Sequence, residues 1–150
     1  MYSDGEALIL TLVRTVTNYG ASNTSRGKYG ILNSGNSSRY AILKPGPFSR
    51  SEQGSGLMFE SKWSTAVELW HRYVDDGSTL TNLEADAGAI IAMIDAHRLL
   101  GDNTGKVRDA TARRGNEVEE LWAQSGDGPV WLRWKIYVTW DEETSVTPAE

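Results

Sequence analysis

With 150 residues, no cysteine, and 15 Lys plus Arg against 20 Asp plus Glu, the chain carries a net charge of -5. The length suits one domain that holds a core without metal or disulfide. The absence of thiols excludes thiolate metal sites and cysteine nucleophiles, and the acidic balance disfavours binding nucleic acid by phosphate neutralisation.

The first element is read as a helix over residues 4–19. Ser3 and Glu6 have the spacing of a capping box, Leu8, Leu12, Val13, Val16 and Tyr19 share one face, and Gly20 is placed to end it. Residues 20–38 follow, of which 12 of 19 are Gly, Ser or Asn. Such a segment is too polar for an element of its own and reads as a flexible loop that binds something or orders on assembly. A short strand is expected over 39–44, stopped by Pro45-Gly46-Pro47, and a second flexible loop over 49–56. Residues 63–73 alternate with period two, their odd positions Trp, Thr, Val, Leu, His and Tyr forming the more apolar face.

Asp75-Asp76-Gly77 is read as a turn. Thr81-Asn82-Leu83-Glu84 offers a second capping box, opening a helix of about five turns whose stripe is Leu83, Ala87, Ile90, Ile91 and Ile94 and which closes near Leu99-Leu100-Gly101. Strands are expected over 106–114 and 118–124, then a tight connection at Gly126-Asp127-Gly128-Pro129 into the cleanest alternation of the chain, 130–140. Residues 141–150 read as a frayed acidic tail. The expected fold is α+β, a single two-layer domain in which a largely antiparallel sheet is covered on one face by two amphipathic helices. The uncharged apolar stretches fall short of the roughly 20 residues of a membrane span, and the amino terminus lacks a signal-peptide pattern, so no membrane contact is expected.

Motifs for chemistry are sparse. Gly101-Asp102-Asn103-Thr104-Gly105-Lys106 has three residues between its glycines and Val107 after the lysine, and it follows a helix, so it reads as a turn and not a phosphate loop. His71 near Asp75 and Asp76, and His97 in a last helical turn, read as structural histidines and not as metal ligands. No nucleophile elbow is present. Asn23-Thr24-Ser25 and Asn36-Ser37-Ser38 match the glycosylation pattern but here indicate only a polar loop. No catalytic, cofactor-binding or metal residue is therefore assigned, and the expectation is that the protein is not an enzyme. Glu117, Glu119 and Glu120 form an acidic group that reads as a solvated edge, or in a ring as a lumen lining that repels DNA phosphates.

Six tryptophans are many for this length. Trp63, Trp134 and Trp140 fall on core-facing strand positions. Trp70 and Trp131 fall on the opposite faces of their strands, beside Arg72, Arg133, Lys135 and Tyr137, a mixture enriched at protein interfaces. They are candidates for a subunit or tube interface, with cover by the long polar loop as the competing account.

The opening helix from Ser3, the strand centred on Val67-Glu68-Leu69, the immediate turn into the helix over 80–94, its Leu99-Leu100-Gly101 close and the final strand over 130–140 together resemble the tail terminator, or tail completion, proteins of tailed bacteriophages. The resemblance covers nearly the whole chain and rests on elements and apolar positions. It implies a structural virion protein, made in the host cytoplasm, that forms a homo-oligomeric ring, typically a hexamer, at the head-proximal end of the tail. Such a ring caps the tail tube protein, ends polymerisation at the length set by the tape-measure protein, and meets a neck or connector protein, while genomic DNA passes through without specific binding. Another tail-tube or neck subunit, or a free-standing adaptor module, shares the same composition.

Overall fold

The computed structural model describes residues 4–34, 37–46, 49–53, 58–102, 106–122 and 128–145. Its elements run α1 (Asp4–Val13), β1 (Thr24–Arg26), α2 (Ile31–Ser34), β2 (Arg39–Pro45), β3 (Ser49–Gln53), β4 (Met58–Arg72), α3 (Asp76–Ala96), β5 (Val107–Arg114), β6 (Glu119–Trp122) and β7 (Pro129–Ser145). Among the described residues seven strands form one sheet in the order β1-β2-β4-β7-β5, with β3 beside β4 and β6 beside β7. Every pairing is antiparallel except that of β1 with β2. The fold is α+β, as the sequence predicts.

The spine of the sheet is the β4–β7 pair, unbroken from Met58 opposite Ser145 to Arg72 opposite Trp131. Each flank of this spine is made of two shorter strands. β2 and β3 both pair with β4, the register slipping by one residue between Pro45 and Ser49, where the Gly46 amide donates to the Ser64 carbonyl at 2.9 Å. β5 and β6 both pair with β7, and residues 115–118 loop out between them. The chain leaves the ladder through Gly115, whose amide donates to the Lys135 carbonyl at 2.7 Å. A Cβ on Gly115 would stand 2.9 Å from that backbone oxygen, so the close approach requires glycine.

Strand alternation turns Ala41, Leu43, Val67, Leu69, Leu132, Trp134, Ile136 and Val138 toward the helices. There they meet Ile9 and Val13 of α1 and Leu83, Ala87, Ile90 and Ile94 of α3, all in one buried cluster. The α1 face is thus centred on Ile9, with Leu8 and Leu12 only partly buried.

The structure departs from the sequence reading at element ends. α1 stops at Val13, not Tyr19, because Thr15 turns its hydroxyl onto the Leu12 carbonyl at 2.6 Å and the next amides bond three residues back. Asn18, at φ 77°, takes the left-handed position expected of Gly20. Val16 and Tyr19 are buried all the same. The Ser3 cap lies outside the described residues. α3 starts at Asp76, so Thr81 and Glu84 lie inside it; Asp75 is the N-cap, accepting from the Ser78 amide at 2.6 Å, and the expected turn at 75–77 is the helix start.

Both expected loops contain strands. β1 and α2 lie within 20–38, where polar side chains satisfy the backbone. The Asn23 amide donates to the Asn18 and Arg39 carbonyls and accepts from the Gly20 amide, and the Thr24 hydroxyl bonds the Gly20 carbonyl. β3 lies within 49–56 and continues the β2 edge along β4, with 54–57 outside the described residues. The acidic end is strand through Ser145, because its carboxylates find donors. Glu142 Oε1 accepts from the Gly5 amide at 2.8 Å and from Trp140 Nε1 at 2.9 Å, and Asp141 pairs with Lys62 at 3.1 Å. Residues 146–150, the connection 123–127 and residues 103–105 of the glycine-containing turn are outside the described residues.

Candidate functional site

The face of the sheet turned away from α1 and α3 carries Trp70 and Arg72 of β4 and Trp131, Arg133, Lys135 and Tyr137 of β7. The register sets Trp70 directly opposite Arg133, and Arg72 opposite Trp131. The structure therefore brings the candidate interface residues onto one surface. Part of that surface is covered by the chain itself, since Leu32 of α2, together with Tyr29 and Ile31, closes over Tyr40, Ile42 and Trp70. Trp70 is only 8% exposed and belongs to this second cluster, while Trp131 packs at its margin.

The rings meet edge to face, Tyr29 with Trp70 at 5.7 Å, Tyr40 with Trp131 at 5.8 Å and Trp70 with Trp131 at 6.1 Å between centroids. Cations cap them: Lys44 stands 4.2 Å over Tyr29, Arg72 4.5 Å over Trp131, Arg133 5.1 Å over Trp70 and Arg113 5.0 Å over Tyr137. Glu68, buried at the centre, accepts from the Tyr29 hydroxyl at 2.9 Å and from Trp70 Nε1 at 3.1 Å. Burial and then this hydrogen bond push the Tyr29 phenol up to about 12. Of the candidates, Arg72 is exposed and Trp131, Arg133, Lys135 and Tyr137 are half-buried, so the surface that reaches solvent is cationic and aromatic.

The acidic candidates are not one patch. Glu119 faces this same surface, paired closely with Arg133 and 4.0 Å from Lys135. The hydrogen bond from Arg133 holds the Glu119 carboxyl below the usual range against the opposing effect of burial. Glu117 joins Glu119 in lining an open cavity of about 480 Å³, with Arg113, Asn116, Lys135 and Tyr137. Glu120, one residue beyond Glu119 on the strand, faces the opposite side, beside Leu132, Tyr73 and Asp76.

A third group, absent from the sequence reading, is a buried polar network under the helices. Asp86 of α3 accepts from the Tyr19 hydroxyl at 2.7 Å and from Arg39 Nη1 at 3.2 Å, and His71 Nε2 lies 2.9 Å from its Oδ2 and 3.0 Å from the Tyr19 oxygen. Burial alone would raise the Asp86 carboxyl, but the bonds from His71 and Tyr19 and the charges of His71 and Arg39 hold it below the usual value; burial and the Asp86 charge push the Tyr19 phenol far up. His71 pairs with Asp86, not with the Asp75 and Asp76 near it in sequence. The available signal was a carboxylate on an apolar stripe, three residues after Leu83 and four before Ile90, facing a histidine on the apolar side of a strand. With His71 3% and Asp86 5% exposed, a substrate has no approach to either, and the network ties the segment after α1 to β2, β4 and α3.

His97 caps the end of α3, its Nδ1 2.8 Å from the Met93 carbonyl. Among the described residues no cluster of three or more His, Asp or Glu could hold a metal ion, and no helix is long and apolar enough to cross a membrane. No known protein-family model matches the chain, and no curated protein sequence matches it significantly.

Proposed function

We propose that this protein is a structural subunit of a phage tail of the terminator type, assembling as a homo-oligomeric ring, a hexamer in the expected case, on the head-proximal end of the tail tube. Its work is mechanical: the ring occupies the growing end, stops addition of tube protein and offers a surface to the neck or connector. Six chains of charge -5 give the assembly a strongly anionic character that lets genomic DNA pass without holding it. The observation that carries this reading is the sheet face opposite the helices. Its rings Tyr29, Tyr40, Trp70 and Trp131 are held edge to face, with Glu68 bonded to Tyr29 and Trp70, while Arg72, Trp131, Lys135 and Tyr137 still reach solvent. Preorganised Trp, Tyr and Arg of this kind bind a partner with little ordering cost.

Native mass spectrometry and negative-stain microscopy of assembled tails test the proposal. A terminal ring of several copies is expected, and Arg72→Ala combined with Trp131→Ala should yield folded subunits that fail to close it. Absence of the chain from tails, or its presence at a single copy, would remove the reading.

A further inference from the structure

Three of the four exposed large apolar side chains among the described residues lie around one end of the sheet, where β4 hands over to α3: Val74 at 74%, Leu80 at 37% and Trp122 at 57% exposure. At the same end is an open groove of about 360 Å³ lined by Leu80 together with Tyr73, Asp76, Val118, Glu120 and Leu132. Its floor is apolar and its rim is acidic. The Tyr73 hydroxyl donates to Asp76, and Trp122 Nε1 donates to Glu120 at 3.3 Å, so the indole lies against the rim. Asp75 caps the helix at the same end.

These three carboxylates have neutral partners. Asp75 is bonded to Ser78, Asp76 to Tyr73 and Glu120 to Trp122, and none of them forms an ion pair among the described residues. Three formal negative charges exceed the roughly half positive charge that the α3 N-terminus contributes, so the potential over the groove is negative. Its effect is felt locally, since the Asp76 hydrogen bond, then burial, then the charges of Asp76, Glu120 and Asp75 push the Tyr73 phenol up to about 12. An apolar trough with an uncompensated acidic rim complements a side chain with an apolar stem and a cationic head.

We infer that this groove is a docking site for a basic, apolar segment of a partner protein, with a lysine or arginine head between Asp76 and Glu120 and a neighbouring aliphatic side chain against Leu80 and Val118. The inference is independent of the ring proposal, which uses the opposite face of the sheet. It also gives Glu120 a role distinct from that of Glu119.

The test uses the full-length chain, nitrogen-15 labelled, titrated with the peptide acetyl-Leu-Lys-Leu-Arg-amide and with its counterpart in which Glu replaces Lys and Arg. The basic peptide should shift the amides of Tyr73, Leu80, Val118 and Glu120 saturably, and the acidic one should leave them unmoved. Glu120→Gln should weaken binding about three- to fivefold, the range of a partly exposed ion pair, and Leu80→Ser about tenfold through lost apolar contact. Both positions are exposed, so both variants should keep the native spectrum elsewhere. The inference is overturned by absence of saturable shifts at millimolar peptide, by equal binding of the acidic peptide, or by shifts that centre on Arg72 and Lys135. It is also overturned if the chain self-associates without peptide and Glu120→Gln abolishes that association, which would make a second copy the occupant.

Discussion

Replacing Asp86 by Asn preserves the shape of the side chain and deletes the charge on which three neighbours converge, the buried Tyr19 and His71 and the half-buried Arg39. In the native network Oδ2 receives the Tyr19 hydroxyl at 2.7 Å and faces His71 Nε2 at 2.9 Å, while Arg39 Nη1 spans both oxygens at 3.2 Å. An amide nitrogen in place of either oxygen sets a donor against a donor. A hydrogen bond to a charged group is worth about 1.5 to 3 kcal/mol, and breaking a buried ion pair costs about 3 to 5 kcal/mol. Because Arg39 keeps partial access to water, about 3 kcal/mol is expected, a large part of the roughly 5 to 15 kcal/mol that holds a domain together. Urea unfolding followed by tryptophan fluorescence should show a lower midpoint at unchanged slope, and thermal unfolding a drop of roughly 6 to 12 °C.

Tyr19→Phe removes one of these bonds and should cost about 1 to 2 kcal/mol. In the double variant the two losses should not add, the coupling being about 1 kcal/mol or more for side chains in direct contact. The pH dependence has a definite sign. The folded Asp86 carboxyl titrates below its ordinary value of 3.8, so its contribution is complete above that value and is lost as pH falls through it toward the lower folded value. The Asn variant should therefore have a flatter acid limb than the native protein. A loss under about 1 kcal/mol at neutral pH, below the low end for a buried charged bond, or parallel acid limbs in the two proteins, would refute the account of Asp86 as the hub of the network.

Asn23→Ala removes three bonds to backbone groups and should cost about 2 to 3 kcal/mol, together with exchange protection at the Ala41 amide, which donates to the Asn23 carbonyl. Gly115→Ala forces the new methyl against the Lys135 carbonyl and should lower stability in urea by about 1 to 3 kcal/mol, with disturbed amide signals confined to the junction of β5 and β6. Tyr29 has a folded pKa of about 12 against an ordinary 10.0, so its contribution is complete below 10.0 and lost as pH rises through 12. Tyr29→Phe should flatten the alkaline limb of a pH-stability profile.

The parts legible in the sequence were those written in apolar periodicity. Val67, Leu69, Leu132, Trp134 and Ile136 announced the core side of β4 and β7, and Leu83, Ala87, Ile90 and Ile94 that of α3. Trp70 and Trp131 were placed on the correct face for the same reason. What periodicity could not carry was structure built from polar contacts: β1 stands on Asn23 and Thr24, and the end of β7 on the donors around Asp141 and Glu142. The network around Asp86 is not written in periodicity, because its partners Tyr19, Arg39 and His71 come from three separate segments, which only the fold assembles. The covering of Trp70 by Tyr29 and Leu32 was one of two readings open in the sequence, since a Gly- and Ser-rich segment gives no sign of which surface its few apolar residues will meet.

The spine sets the order in which this chain can fold. Arg72 and Trp131 are separated by 59 positions in sequence, and Met58 and Ser145 by 87, whereas β2 and β3 meet β4 across far shorter spans. Closing the longer spans is entropically later and slower. β2 and β3 can therefore assemble along β4 while β7 is still being synthesised, with α3 available to shield the apolar side of the unit. β5 and β6, made earlier than β7, have no place in the sheet until β7 arrives, because β7 lies between them and β4. Among the described residues the strand made latest is thus the one that must enter the middle. Until it does, β4 presents an open edge along its whole length, and the interval between synthesis of β4 and arrival of β7 is when the protein is most exposed to mispairing with another copy of itself.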